Sequence, residues 1–381
     1  MKICLLTDGI APYVTGGMQR HSFNLCNELL KQGNVVTLVH CVYGKSALPK
    51  QEEVKELFEN SKDLTVYSLR FPESSGMPGH YIKESYQYSL AITSLLKDKF
   101  PQFDLIYVKG FSGWDLLQQR KKGIIKTGPI LMNFHGLEMF QQPASFAERL
   151  KSYLLKSPVK WNLAHADYCI SYGGKITSLL TQIGIPDSKI VVLPGAVSDN
   201  SLLEKRKLPI NSKFLFVGRY ERRKGIEELM QVVTSMPDLE ISFVGPIPPS
   251  EKIKRNNVHY YGEVKEVSAL NKIFDEHTFL IAPSHSEGMP NVILEAMSRG
   301  LIPMATRVGA VEELVDNSNG FLFEPKSVEA IRANIELAQL LEVEAVLERS
   351  SNSINKIRTN FTWSQIISQT IENFQRVVEK P

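Results

Sequence analysis

The sequence predicts an α/β protein in which two Rossmann-like, doubly wound domains face a central cleft. Short apolar runs alternate with segments of helical periodicity along the whole chain, and this alternation is typical of parallel sheets with helices on both faces. The 381 residues also exceed what one hydrophobic core usually fills. We therefore expect two domains of similar size.

The first predicted domain, residues 1–199, opens with the strand KICLLT, a Gly- and Pro-containing turn, and a helix that stops at Gly33. Further helices are predicted from Tyr81 to Lys99 and from Ser145 to Trp161, and Pro158 is expected to interrupt the second of these segments. The other predicted strands are NVVTLVHC, LTVYSL, FDLIYVKG, GPILMNFHG and ADYCISY.

A polar stretch, residues 200–212, is predicted to be the linker. The strand–helix pattern then restarts in a second domain, residues 213–360. Its predicted strands are KFLFVGRY, LEISFVG, VHYYGEV, TFLIAPS, LIPMATRVG and NGFLFEP. The remaining segment, residues 361–381, has an amphipathic pattern and is predicted to form a helix.

Composition excludes several classes of protein. A hydrophobic content of 43% and a charged content of 22% are those of a globular protein. The net charge of +3 is too small to favour nucleic acid as a partner. The four cysteines lack the paired spacing of metal or redox motifs, and no apolar run approaches the ~20 residues of a membrane span. Since nothing resembles a secretory leader, we expect a cytoplasmic location.

A basic turn follows the strand KFLFVGRY. Gly218 ends the strand, Arg219 follows it, and Lys224 precedes the next predicted helix. An arginine fork and a lysine charge at the carboxyl end of a strand suit a diphosphate. The alternative is an ordinary solvated turn, because Arg222 and Arg223 share the segment.

Two glutamates lie eight positions apart in the stretch HSEGMPNVILEAMSRG. Glu287 is in a loop that precedes a helix predicted to begin near Pro290, and Glu295 lies on that helix. The first N–H groups of the helix, near Asn291 and Val292, are free to bind phosphate. The alternative for Glu295 is a surface carboxylate on an amphipathic helix.

These motifs resemble those of the retaining glycosyltransferases of family four, which have the two-Rossmann-domain fold called GT-B. SHSEGMPNVILEAMSRGLIPMATRVGAVEELV resembles the family signature of two glutamates separated by seven residues. The GR and KG pairs at residues 218–219 and 224–225, the glycine pair Gly16–Gly17 and the closing FTW segment also match. The resemblance extends along nearly the whole chain and is strongest over residues 211–320. It implies a C-terminal helix that packs back toward the first domain.

The resemblance also implies roles in binding a nucleotide-diphosphate sugar, with UDP favoured and GDP next. Arg219 and Lys224 would hold the diphosphate, Glu287 the donor sugar, and Glu295 the ribose. The other implied donor-binding positions are Gly16, Gly17, Gly218, Gly245, Val264, Gly288, Met289, Asn291 and Val292.

Two further residues, in the first predicted domain, are assigned by the same resemblance. His135, in NFHGLE, would lie near the transferred sugar, and Glu138 would lie on the acceptor side. A lone histidine at a strand end is also a common structural residue, so that alternative stays open. The chain departs from the family where PGAVS, residues 194–198, replaces the usual PNGVD.

We therefore expect a retaining, metal-independent hexosyltransferase that acts on a glycan or lipid-linked glycan in surface polysaccharide or glycoconjugate synthesis. No cofactor is expected, and no Asp-x-Asp motif or His/Cys cluster indicates a metal site. Two alternatives are a non-hydrolysing nucleotide-sugar epimerase and a catalytically silent scaffold that binds nucleotide sugars. The basic amphipathic segment FAERLKSYLLKSPVKWNLAH is compatible with peripheral contact with an anionic membrane.

Overall fold

The computed structural model describes residues 1–45, 47–73, 79–143, 145–206 and 212–379. It contains one sheet of seven strands and one of six. All strand pairs that the two sheets form within this part of the chain are parallel. Parallel neighbours require crossover connections, which helices supply here, and the predicted fold class is confirmed.

The first half of the chain builds the seven-stranded sheet. Its strands are β1 (Lys2–Leu6), β2 (Val35–Val42), β3 (Leu64–Arg70), β4 (Leu105–Lys109), β5 (Ile130–Asn133), β6 (Tyr168–Ser171) and β7 (Ile190–Val192). Across the sheet they follow the order β3-β2-β1-β4-β5-β6-β7. β4 is buried along its whole length, because helices cover both faces of the sheet.

The helices of this half are α1 (Gly17–Lys31), α2 (Gln51–Lys55), α3 (His80–Leu96), α4 (Trp114–Lys121), α5 (Phe146–His165) and α6 (Gly174–Gln182). α5 continues through Pro158, so the predicted interruption is wrong. Proline removes only one intrahelical hydrogen bond. The turn around it is held by the buried side chains of Val159 and Leu163 and by a hydrogen bond from Asn162 Nδ2 to the carbonyl of Pro158, 2.9 Å.

The second half builds the six-stranded sheet. Its strands are β8 (Phe214–Val217), β9 (Ile241–Val244), β10 (Val258–Gly262), β11 (Phe279–Ala282), β12 (Ile302–Thr306) and β13 (Phe321–Phe323). They follow the order β10-β9-β8-β11-β12-β13. The helices are α7 (Ile226–Ser235), α8 (Val267–Asp275), α9 (Asn291–Ser298), α10 (Val311–Leu314), α11 (Val328–Gln339), α12 (Val343–Asn360) and α13 (Trp363–Glu379).

Each strand predicted from the sequence is present. β7 is a strand that the sequence analysis did not identify, because KIVV passes directly into a Pro-Gly turn and offers only three residues. α9 begins at Asn291 with Pro290 as its capping residue. The predicted domain boundaries stay a prediction, and part of the linker, residues 207–211, lies outside the described residues.

The last helix, α13, packs against the first half of the chain. Its buried residues Trp363, Ile366, Ile367 and Phe374 join a core cluster with strands β1, β2 and β4. The Phe374 ring lies 5.9 Å from the Tyr107 ring of β4, centroid to centroid. The helix implied by the resemblance thus packs back onto the first sheet.

Backbone pairing accompanies this return of the chain. Val197, after β7, forms a parallel bridge with Thr362, just before α13. Its N–H donates to the carbonyl of Phe361, and its carbonyl accepts from the N–H of Trp363, both at 2.9 Å. The two segments that join the halves therefore lie side by side. Among the helices of the described residues, none has the length and apolarity needed to cross a membrane.

Candidate functional site

The basic turn between β8 and α7 is held close to the end of β11. Gly225 adopts φ +67°, and a Cβ at this position would lie 1.9 Å from the carbonyl oxygen of Pro283. Only glycine combines that conformation with such a close approach. Residues 222–224 form a single 3₁₀ turn before it, so the position of Lys224 is set by the contact between Gly225 and Pro283.

Glu287 is buried in the loop between β11 and α9. Lys224 Nζ lies 2.6 Å from Glu287 Oε1, and the Ser284 hydroxyl donates to the same oxygen at 2.7 Å. Arg223 Nη1 lies 3.7 Å from Glu287 Oε2. Burial by itself would raise the pKa of Glu287, but the two cations and the hydrogen bonds outweigh it and hold the pKa below its ordinary value. The carboxylate is therefore ionised at neutral pH.

Arg219 and Lys224 pair with different carboxylates. The Arg219 side chain is 66% exposed and pairs with Glu221, with 3.0 Å between Nε and Oε1. Arg223 accompanies Lys224 instead. Arg223 was not among the expected diphosphate ligands, because four basic residues within six positions give no basis in the sequence for choosing among them. The role implied for Arg219 stays a prediction.

Glu295, on α9, faces the first half of the chain. Arg20 Nη1, from the first turn of α1, lies 2.8 Å from Glu295 Oε1. Burial raises the pKa of Glu295, and Arg20 opposes that rise. Close by, Asn291 Nδ2 donates to the carbonyl of Gly17 at 3.1 Å. The N-terminal turns of α1 and α9 thus meet across the cleft, and Arg20 is a contact that sequence spacing gave no means to find.

His135 follows β5 and has φ +58°, which is uncommon for a residue other than glycine. Asn133 Oδ1 accepts from its N–H at 2.7 Å, and Asn133 Nδ2 donates to the Tyr172 hydroxyl at 3.4 Å. That hydroxyl lies 2.6 Å from His135 Nδ1 and has its proton available to donate. This arrangement places the imidazole proton on Nε2, which is buried and has no hydrogen-bond partner among the described residues. Burial and Lys109 hold the pKa of His135 well below its ordinary value, so the ring is neutral.

Glu138 lies in a 3₁₀ turn beside Gly136. Its pKa is raised by burial, and nearby Arg223 counteracts the rise. A Cβ on Gly136 would lie 2.8 Å from the backbone nitrogen of Gly288. Gln141 Nε2 donates to the carbonyl of Glu287 at 2.6 Å. The loop after β5 is therefore in direct contact with the Glu287 loop.

The glycine positions implied by the resemblance lie along the same cleft. Gly16 caps α1 and Gly17 is its first residue. Gly218 and Gly245 directly follow β8 and β9, and a Cβ on Gly245 would lie 1.9 Å from the carbonyl oxygen of Gly218. The two strand ends are thus packed backbone to backbone, with no room for a larger residue.

Three more of the implied donor-binding positions, Val264, Met289 and Val292, lie in the second half of the chain. Val264 lies partly buried against the core. Met289 Sδ accepts from the N–H of Gly195 at 3.1 Å, across the two halves. Val292, in the first turn of α9, lines a cavity together with Lys224 and Glu287.

A buried cation that the sequence analysis missed lies beneath α1. Lys109 ends β4, and its Nζ is 2.9 Å from His21 Nδ1 and 3.3 Å from the carbonyl of Met18. Burial lowers the pKa of Lys109 to about 7, and Asp8 opposes this shift. The signal in the sequence is a lysine that closes the apolar strand LIYVK. The part of the chain that the structure describes has no group of three His, Cys, Asp or Glu side chains arranged for a metal ion.

Two protein-family models match the chain. The model described as Glycosyltransferase Family 4 matches residues 15–201, and the model described as Glycosyl transferases group 1 matches residues 211–340. A human protein named as a subunit of phosphatidylinositol N-acetylglucosaminyltransferase is 23% identical over 398 residues, covering 99% of this chain and 76% of that protein. The capsular polysaccharide biosynthesis glycosyltransferase CapM of Staphylococcus aureus is 27% identical over 209 residues, covering 51% of this chain and 54% of CapM.

Solved structures with the same fold cover nearly the whole chain. Sucrose-phosphate synthase from Thermosynechococcus elongatus superposes with a TM-score of 0.80 at 18% identity, covering 99% of this chain and 98% of that one. Anabaena HepE in complex with UDP and glucose gives a TM-score of 0.68 at 17% identity, covering 98% and 99%. The two matching family models lie one in each half of this GT-B fold. The chain is therefore a glycosyltransferase of the family-four type.

Proposed function

We propose that this glycosyltransferase moves a sugar from a nucleotide-diphosphate sugar to a glycan or lipid-linked glycan, with retention at the anomeric carbon. The observation that carries the proposal is the 2.6 Å contact between Glu287 and Lys224, with Arg223 beside them. An ionised carboxylate suits sugar hydroxyls, and two adjacent cations suit a diphosphate. The loop of Gly136, which contacts the loop of Gly288, also carries His135, and we assign His135 to the transferred sugar.

The donor that we propose first is a UDP-sugar, with a GDP-sugar next. Support for UDP comes from the similar structures of Anabaena HepE with UDP and with UDP-glucose. We assign the base to backbone groups after Gly245 and around Gly262 to Val264, and backbone groups of this kind can hold uracil, guanine or adenine. In the loaded cleft, Glu295 binds the ribose and Glu287 binds the donor sugar.

The acceptor is proposed from the names of the relatives. Two relatives that match over nearly the whole of this chain, from human and Arabidopsis thaliana, are named as phosphatidylinositol N-acetylglucosaminyltransferase subunits. Others carry names from capsular polysaccharide, teichuronic acid and O-antigen biosynthesis. These names share the synthesis of a glycan or a glycolipid, and on that basis we propose a glycan or lipid-linked glycan acceptor, with surface polysaccharide or glycoconjugate synthesis as the setting.

The mechanism that we propose uses a single site. The bond between the anomeric carbon and the diphosphate oxygen breaks, and the acceptor oxygen bonds to that carbon from the same face. The acceptor proton passes to the departing diphosphate oxygen. Lys224 and its neighbouring arginines neutralise the charge that develops on the leaving group, without a metal. His135 directs its free Nε2–H at a hydroxyl of the transferred sugar.

Two alternatives make different predictions for the same cleft. A nucleotide-sugar epimerase would isomerise the donor without any acceptor. A scaffold protein would bind nucleotide sugar without turnover. The spacing of Glu287 and Glu295 together with the pair Arg219 and Lys224 favours the transferase over the epimerase, and the presence of all four residues favours it over the scaffold.

The test is a thermal-shift panel of nucleoside diphosphates and nucleotide sugars, followed by an assay of slow donor hydrolysis for each compound that binds. Ligand at ~100 times its dissociation constant stabilises the folded state by about 2.7 kcal/mol, which moves the melting midpoint by several degrees. Release of one diphosphate and its free sugar would support the transferase. An isomerised donor would indicate the epimerase, and binding without turnover would indicate the scaffold.

We also propose that α5 rests on an anionic membrane surface. Leu150 and Tyr153 are 62% and 73% exposed, and Leu154 beside them is exposed as well. Exposed cations share the helix with them, namely Arg149, Lys151, Lys156 and Lys160. Apolar side chains that insert among lipids, with flanking positive charges, give affinity for anionic bilayers.

Sedimentation with vesicles tests this surface. The protein should bind vesicles of phosphatidylcholine with phosphatidylglycerol, and not vesicles of phosphatidylcholine alone. Tyr153→Ser combined with Leu150→Ser should weaken binding several-fold, whereas Leu340→Ser, at a residue 77% exposed on the other half, should not. Equal binding by both variants would show that α5 is an ordinary solvated helix.

A further inference from the structure

Arg20 forms an ion pair that joins the two halves of the chain at the cleft. Its Nη1 lies 2.8 Å from Glu295 Oε1, and the two residues are 275 positions apart. The Arg20 side chain is 40% exposed and that of Glu295 is 23% exposed. Within the described residues, no other cation lies at ion-pair distance from Glu295.

This ion pair conflicts with the role proposed for Glu295. A carboxylate oxygen that accepts from a guanidinium is not free to accept fully from ribose hydroxyls. Breaking the pair would leave a partly buried carboxylate whose pKa burial already raises. Donor binding therefore has to supply a new partner for Arg20 as well as for Glu295.

The position of Arg20 indicates that partner. It lies in the first turn of α1, where its N–H donates to the carbonyl of Gly16 at 3.0 Å. Asn291 fastens the same turn to the first turn of α9. Arg20 therefore lies one helical turn from the glycine pair in α1, and its guanidinium, which has five N–H donors, contacts Glu295 of α9. A diphosphate in this part of the cleft carries the negative charge that best replaces the carboxylate.

We propose that Arg20 is a donor-binding residue that changes partners: it holds Glu295 in the empty cleft and binds the diphosphate when ribose occupies Glu295. The inference rests on the proposed function, because it takes the donor to be a nucleotide-diphosphate sugar. It adds a cation from the first half to those of the basic turn. It also makes ribose binding and diphosphate binding mutually dependent.

Binding constants for Arg20→Ala and Glu295→Gln test the exchange. The probes are the nucleoside diphosphate found with the wild-type protein, its nucleoside, and inorganic diphosphate, titrated by ligand-detected NMR to reach millimolar constants. For Arg20→Ala we expect a 10- to 100-fold loss of nucleoside diphosphate affinity, the range of a hydrogen bond to a charged group, and equal or tighter nucleoside binding. For Glu295→Gln we expect weaker nucleoside binding and equal or tighter binding of inorganic diphosphate.

If the ion pair only held the two halves together, the two variants would have equal effects, because both break the same ion pair. Equal effects of the two substitutions on inorganic diphosphate, or equal losses of nucleoside and nucleoside diphosphate in Arg20→Ala, would overturn the proposal. Arg332→Ala, which removes an exposed ion pair on α11, is the matched control and should change none of the constants. Failure of the wild-type protein to bind any nucleoside diphosphate would instead overturn the proposed function.

Discussion

At the scale of single residues, the charge on Glu287 depends on its neighbours. Lys224, Arg223 and the Ser284 hydroxyl hold the pKa of this buried carboxyl below its ordinary value of 4.5. A carboxyl whose pKa is depressed by folding stabilises the protein above the ordinary pKa, and this contribution is lost as the pH falls through the folded-state value. The glutamate that we assign to the donor sugar is therefore also part of the folding energetics.

Glu287→Gln should strongly lower turnover and largely keep nucleotide binding. Removing an electrostatic group at the reacting centre typically lowers kcat by about 10²–10³-fold, whereas the diphosphate still meets Lys224 and Arg223. Steady-state kinetics and nucleoside diphosphate titration measure the two quantities. A matching loss of affinity, or a glycosyl adduct trapped on Glu287 in the wild-type protein, would contradict the assigned role.

Lys109 is a second buried ionisable group, and folding disfavours its charged form, whereas folding favours the charged form of Glu287. Because burial lowers its pKa from 10.5 to about 7, the unfolded chain binds a proton that the folded protein lacks between those values. The free energy of unfolding therefore receives a contribution that rises with pH across this window. His21 and His135 have pKa values well below their ordinary range, so they stay neutral throughout it.

Lys109→Met should flatten this pH dependence. As the pH rises from 7 to 9, we expect the melting temperature of the wild-type protein to increase relative to that of the variant. The reason is that the wild-type protein loses a buried positive charge in this range. Melting curves of both proteins across that range measure the difference. Lys122→Met, at an exposed lysine, serves as the control. Parallel curves for wild type and Lys109→Met would show that Lys109 does not titrate in this window.

At the scale of elements, the site depends on turns that bring strand ends together. The basic turn after β8 reaches the Glu287 loop because Gly225 packs onto the carbonyl of Pro283 at the end of β11. β8 and β11 are neighbours in the sheet, so their carboxyl ends lie at one edge. The parallel sheet thus brings two separate sequence motifs to the same edge.

Gly225→Ala should disrupt this packing more than the same change at Gly33. Both glycines have positive φ, +67° and +74°, but a Cβ at Gly33 meets nothing within 4 Å. The strain of the left-handed conformation costs about 1–2 kcal/mol at either position, and only Gly225→Ala adds the clash with Pro283. Chemical unfolding and donor turnover measure the outcome. Equal destabilisation by the two variants would show that the close approach is unimportant.

At the scale of the whole molecule, the C-terminal helix stabilises the opposite half of the chain. α13 follows the second sheet in sequence, yet its apolar face belongs to a core cluster with β1, β2 and β4. The paired segments at Val197 and Thr362 bring it there. The stability of the first sheet is therefore linked to the end of the chain.

Phe374→Ala should destabilise the first sheet selectively. Truncating a fully buried phenylalanine typically costs about 3–5 kcal/mol, and Phe374 is 0% exposed. Hydrogen exchange should accelerate for backbone amides of β1 and β4 and stay unchanged for β8. Leu340→Ala, on the surface of the second half, should alter neither sheet. Acceleration in both sheets would mean that the halves unfold as one unit.

The sequence by itself determined the fold class and supplied the motifs from which the candidate site is proposed. The strands were predictable because burial in a parallel sheet leaves a local apolar signature, and β7, with three residues, was too short to show it. The basic turn and the two glutamates were likewise identified from residues close together in the chain. These features depend on local periodicity and on a motif contained in a few turns.

The tertiary structure alone decided which charges meet. Arg223 rather than Arg219 lies beside Glu287, Arg20 pairs with Glu295 from the opposite half, and Lys109 is buried beneath α1. Each of these contacts joins residues tens to hundreds of positions apart. Their distances depend on strand order and on how the two halves pack, and no local pattern of side chains encodes either.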